Sequence, residues 1–212
     1  MSSGEGSNPN GAEPAVADAL ARLADELRAD EVIAPHVTEP SEPPTLGELV
    51  ASGPRAADAP EQYGLLIEAI REGFLMHYGE PRLVSGADGD LRLLTGDYLY
   101  ALGLERLASR GDTDAVNELA DLISLCAQVN ARPDDDDQLV RLLWLASAVA
   151  VGAGGGPPHE AAKRAVREGE TEGPDLLAAS AAEIAARSGM GPGMARAADS
   201  IGFARKHLFE RA

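Results

Sequence analysis

Aromatic residues make up only 4% of this 212-residue chain, lysine occurs twice and cysteine once. Each shortage excludes something. With few aromatics, the core has to be built from Leu, Ala and Val, a composition that favours closely packed helices over sheet. The lone thiol, Cys126, has no partner for an internal disulfide, and its apolar helical setting predicts a buried thiol in a reducing cytoplasm. Basic residues are also scarce: 18 against 35 acidic ones, a net charge of −17. Nucleic acid and anionic membrane surfaces are therefore not expected partners, since phosphate binding needs clustered Lys and Arg. The longest apolar run, Leu142–Val151, is far short of the ~20 residues that span a bilayer, so no transmembrane segment is expected. The opening MSSGEGSNPNGAEP has neither the basic start nor the apolar centre of a signal peptide. A cytoplasmic protein is the expectation.

Catalytic signatures are missing as well. His36, His77, His159 and His207 are scattered, with no second ligand at helical spacing, so no zinc site is predicted. The Gly154–Gly156 run lacks a following Lys-Ser/Thr and sits between helices, which makes it a loop and not a phosphate cradle.

What remains is helical patterning. Residues 1–13 are rich in Gly, Ser, Asn and Pro and read as a disordered tail, and 14–212 as one all-helical domain. An amphipathic helix is predicted from Pro14 to Ile33, followed by a proline-rich connector, Pro35–Pro44. Thr45 and Glu48 fit a capping box ahead of a short helix that Gly53-Pro54 ends. Pro60–Tyr78 carries a broad apolar stripe and stops at Gly79-Glu80-Pro81. Leu91–Gln128 reads as two helices, with Gly111 closing the first and Asp112 capping the second. Further helices are predicted over Gln138–Val151, His159–Arg167, Pro174–Arg187 and Gly193–Glu210, with Gly152–Pro158 as a flexible break.

Leu91–Gln128 is the expected centre of the fold. Its first helix has leucines and tyrosines almost all round, a pattern suited to a helix enclosed by protein. Gly96 and Gly103 lie two turns apart and leave a groove, which a neighbouring helix or a ligand should fill. Farther on, Asp134 and Asp137 share a spacing that could hold Mg²⁺ between them. The plainer expectation is four aspartates, Asp134–Asp137, complementing a helix N-terminus.

The stretch Gly96-Asp97-Tyr98-Leu99 and its continuation ALGLERLASRGDTDAVNELADLISLCAQ resemble the trans-isoprenyl (polyprenyl) diphosphate synthase family. Gly79-Glu80-Pro81 is similar to the R-R-G-x-P segment that follows the family's first aspartate-rich motif. The likeness covers roughly residues 60–152 and implies a helical bundle of the isoprenoid synthase type, truncated. The family's metal ligands are not reproduced. Aligned from Gly96, its first aspartate motif falls on Glu68-Ala69-Ile70-Arg71-Glu72; His77 and Tyr78 replace the arginine pair, and nothing after Gly152 matches the second motif. Glu68 and Glu72 share a face, and a solvated helix surface is the expected setting for them.

The resemblance therefore implies a non-catalytic, synthase-like protein. Its expected role is as partner or regulatory subunit of an active prenyl diphosphate synthase, or as a self-associating one, with no cofactor. Gly96, Tyr98, Leu99 and Gly103 would form a tunnel wall or a partner seat. Two alternatives stand beside it. One is a diverged prenyltransferase or diphosphate-binding enzyme using Mg²⁺ on Glu68, Glu72, Asp134 and Asp137. The other is an unrelated helical interaction module.

Overall fold

Proline and glycine punctuate the chain, and nine α-helices result among residues 16–132 and 136–204, the part that the computed structural model describes. In order they are α1 (Ala19–Arg28), α2 (Thr45–Ala51), α3 (Pro60–Tyr78), α4 (Gly89–Ser109), α5 (Thr113–Asn130), α6 (Asp137–Ala153), α7 (Gly156–Glu168), α8 (Gly173–Arg187) and α9 (Gly191–Ser200). Short 3₁₀ turns lie at Ala34–His36 and Pro54–Ala56. The described residues contain no strand, only one antiparallel bridge between Val37 and Val84. The expected all-α class is the observed one. The expected tail, residues 1–13, and Asp134 fall outside the described residues.

Local chemistry places several boundaries where the sequence predicts them. Proline occupies the first turn of α3 and α8, where its missing amide costs nothing. Gly111 takes a φ of 79°, and Asp112 caps α5 by accepting from the Ala115 amide at 3.0 Å. Asp136 caps α6 in the same way, accepting from Leu139. Four expectations need correction. α1 stops at Arg28, short of Ile33, and α9 stops at Ser200, short of Glu210, with a turn at 201–202. Thr45 is the first residue of α2 and not its cap; Pro44 precedes the helix, and no side chain closes it. Gly152–Pro158 is not one long break, because α6 continues to Ala153 and α7 begins at Gly156. Gly154, at a φ of 92°, makes the turn, and the two prolines fit the first turn of α7.

The centre of the fold is α3 with α6, not the pair α4–α5. Every residue of α6 from Leu142 to Gly152 is buried. On α3, Leu66, Ile67, Ile70 and Phe74 join the larger core with Trp144 and Leu143 of α6. Leu65, Ala69 and Met76 of the same helix join a smaller core with Leu20, Leu23 and Leu27 of α1 and Leu99 of α4. A helix apolar on both sides can serve two cores only from the middle of the molecule.

α4, expected to be enclosed, lies at the edge. Leu93, Leu94 and Tyr98 are 53%, 67% and 45% exposed. Its buried residues are Thr95, Gly96, Leu99, Gly103 and Leu107. A methyl on Gly103 would lie 2.4 Å from Ile70 Cγ1, and one on Gly96 would lie 2.6 Å from His77 Nε2. The expected groove is therefore filled by α3, and close backbone approach at the glycines leaves Leu93, Leu94 and Tyr98 outside. Gly96, Leu99 and Gly103 are buried while Tyr98 faces outward, so these four residues do not form one wall.

Candidate functional site

α3 carries two carboxylates inside its apolar surroundings. Glu68 and Glu72 are fully buried, which corrects the expectation of a solvated face. The reason is that α3 has no solvated side at this level, so the acids must be satisfied internally. Glu68 Oε1 accepts from the Gly47 amide at 2.8 Å. Glu72 Oε1 accepts from the amides of Arg82 and Leu83 at 2.7 and 2.8 Å. Arg82, just beyond the Gly79-Glu80-Pro81 break, joins the two: its Nη1 lies 2.8 Å from Glu68 Oε2 and its Nε donates to Glu72 Oε2 at 3.0 Å. Burial opposes the Arg82 charge, but Glu68 and Glu72 outweigh it and hold its pKa above the ordinary arginine value.

Arg71, one turn after Glu68 and next to Glu72 in the chain, takes a different course. Its guanidinium lies 5.1 Å from the ring centre of Phe74 and 4.8 Å from that of Trp144, a cation–π arrangement. Burial, reinforced by the Arg82 charge, pushes its pKa down to about 10, so it stays protonated at neutral pH. Arg71 Nη1 and Arg82 Nη2 are buried and have no hydrogen-bond partner. Both arginines line a cavity of about 240 Å³, with Glu42, Thr45 and Glu80 at its sides and Ser200 and Ile201 from the end of α9.

A second ionic cluster joins α5, α6 and α7. Glu118 Oε1 accepts from Ser147 Oγ at 2.6 Å and from His159 Nε2 at 3.0 Å, while Oε2 accepts from Lys163 Nζ at 2.6 Å. Lys163 also lies 3.0 Å from Asp121 Oδ2 and 3.7 Å from Glu160 Oε1, and Arg167 pairs with Asp121. Burial raises the Glu118 pKa, but its partners prevail and hold it below the usual carboxylate value. Burial likewise works against the Lys163 charge, and Glu118 with Asp121 turns the balance upward. Glu118, Asp121, Lys163 and Arg167 border a larger cavity of about 580 Å³ beside the Gly154–Gly156 turn. Ser147 donates to Glu118 and not to His159, so this is not the nucleophile-on-base arrangement of covalent catalysis. Cys126 is no nucleophile either, since burial pushes its thiol up to about 12.

The four metal candidates are dispersed. Glu68 and Glu72 meet at Arg82; Asp137 begins α6 and pairs with Arg141; Asp134 lies outside the described residues. Among the described residues, one group of three metal-ligating side chains comes within 4.8 Å of one another: Glu118, His159 and Glu160. The Lys163 ammonium already lies against both of its carboxylates. Sequence reading missed Arg82, Glu118, Ser147, His159 and Lys163 as cluster members. A signal existed for the first: two acids one turn apart in a helix that is apolar on every side require a buried cation. No protein-family model, curated protein or solved structure matches the chain.

Proposed function

We propose that the chain is a non-catalytic, prenyl-synthase-like helical protein that acts as a partner or regulatory subunit in polyprenyl diphosphate biosynthesis. The observation that carries this reading is the fate of Glu68 and Glu72. They occupy the stretch where the resemblance would place the first metal-binding motif. There they are spent on Arg82 and on the amides of Gly47, Arg82 and Leu83. Carboxylates that hold Mg²⁺ against a diphosphate need oxygens free to face the metal, and here every oxygen of both acids lies against Arg82 or a backbone amide.

The partner face in this reading is the outer side of α4. Leu94, Tyr98, Ala101, Glu105 and Ala108 are exposed at alternating four- and three-residue steps, the spacing of a helix–helix seam. Tyr78, at the end of α3, is 47% exposed as well. The test is to mix the purified protein with a prenyl diphosphate synthase from its own organism. Association and a change in product length or rate are expected, with both lost in Leu94→Glu/Tyr98→Glu. The protein alone, given an allylic diphosphate, isopentenyl diphosphate and Mg²⁺, should show no turnover. Failure to associate with any such synthase, or turnover without one, would end this reading.

A further inference from the structure

The cavity at Arg71 and Arg82 has a property that the larger one lacks. The three acids around Lys163 and Arg167, Glu118, Asp121 and Glu160, are answered by ion pairs. At the smaller cavity three buried polar atoms make no hydrogen bond: Glu68 Oε2, which lies 2.8 Å from Arg82 Nη1 as an ion pair, and two donors, Arg71 Nη1 and Arg82 Nη2. A buried N–H of a charged group left without a partner costs more than a neutral one, so an acceptor between them stabilises the site. We propose that this cavity is a metal-independent site for a single oxyanion head, a carboxylate or a phosphate monoanion, held by Arg71 and Arg82.

Three features define the ligand. Although Glu42, Glu68 and Glu80 also line the cavity, the Arg82 charge acts on Arg71 more strongly than Glu68 or Glu72 does, and an oxyanion touching both guanidinium groups offsets that repulsion. Glu68 and Glu72 do not take this role, because their oxygens face Gly47, Leu83 and the Nε and Nη1 side of Arg82. The rim limits how much charge can enter. Glu42 and Glu80 are exposed at the cavity wall and repel a multiply charged anion, so a single negative charge fits and a diphosphate does not. The volume, about 240 Å³, is below the range of roughly 300–1,000 Å³ of drug-sized sites, which restricts the ligand to a small acid or to the head of a larger molecule. The site stands apart from the α4 face, so its occupancy does not depend on the partner reading.

The experiment titrates the full chain with sodium acetate and, separately, with orthophosphate. Ionic strength is held constant with chloride, and heat and melting temperature are followed. Saturable one-to-one binding and a raised melting temperature are expected with at least one of them. The one that saturates at lower concentration identifies the head group. Arg71→Met should weaken binding by at least about tenfold, and Arg71→Lys should retain part of it, since a single charged donor remains. If Arg71→Met does not fold, the side-chain nitrogen resonances of Arg71 and Arg82 in the unaltered protein supply the reading; they should shift with the same saturation curve. The proposal is overturned by any of three results. These are no response beyond that of chloride, undiminished binding in a folded Arg71→Met, or binding of pyrophosphate with Mg²⁺ that exceeds both single anions.

Discussion

At the α3 cluster two arginines meet two glutamates, whereas at the α5–α7 cluster one lysine answers three carboxylates. Both clusters have buried centres, Glu68 with Glu72 and Glu118 with Lys163, and both are nearly balanced in charge once Arg167 is counted with the second. They differ in what is left over. An ammonium has three donors, and Lys163 faces one carboxylate for each. A guanidinium has five donors in a fixed fork, so Arg82 can hold both glutamates and still leave Nη2 unspent. Around the lysine the charges are all answered, and the one unspent group of that cluster is the ring nitrogen His159 Nδ1. The arginine cluster fastens the fold and keeps binding capacity in reserve.

Removing the cation from each cluster should separate them most. Arg82→Met leaves Glu68 and Glu72 buried with only backbone amides for partners, and a loss of about 3–5 kcal/mol is expected in urea unfolding. Lys163→Met should cost less, about 2–3 kcal/mol, because Ser147 and His159 still donate to Glu118. A larger loss for Lys163→Met than for Arg82→Met would reverse the comparison.

Acid sharpens it further. The Glu118 carboxyl is held below its ordinary value of 4.5, so its contribution is fully present above that value and disappears as pH falls through the depressed one. Unfolding free energy measured from pH 7 down to pH 3 should fall more steeply in the native chain than in Glu118→Gln. Equal slopes would remove Glu118 from the account. The smallest effect belongs to the edge of the lysine cluster. Arg167 is 37% exposed, and Arg167→Ala should change stability by no more than about 1 kcal/mol, decreasing with added salt. A larger, salt-independent loss would show that the fastening extends to the surface.

Legibility in the sequence followed the range of each interaction. Gly111-Asp112, Pro174 and the Pro60–Tyr78 helix are written in neighbouring residues, and their structure is as the sequence predicts. The placement of α4 is not local. Nine apolar residues in one helix show that burial is available, but the close fit of Gly96 and Gly103 against His77 and Ile70 decides which side receives it. Glu68 and Glu72 were misplaced for the same reason. Their acid–acid spacing is visible at a glance, while Arg82 reaches them across a helix end and a loop. The second cluster was harder still, since Glu118, Ser147 and Lys163 come from three helices and no spacing rule links them.

The two faces of α4 obey separate rules, and this has a consequence for how the chain can change. Gly103 cannot enlarge unless Ile70 yields, so the inner face is tied to its neighbour residue by residue. The outer residues Leu94, Tyr98, Ala101 and Glu105 carry no such tie to the core. That strip can be re-lettered for a different companion while the bundle beneath keeps its shape, as a key can be recut on an unchanged blank.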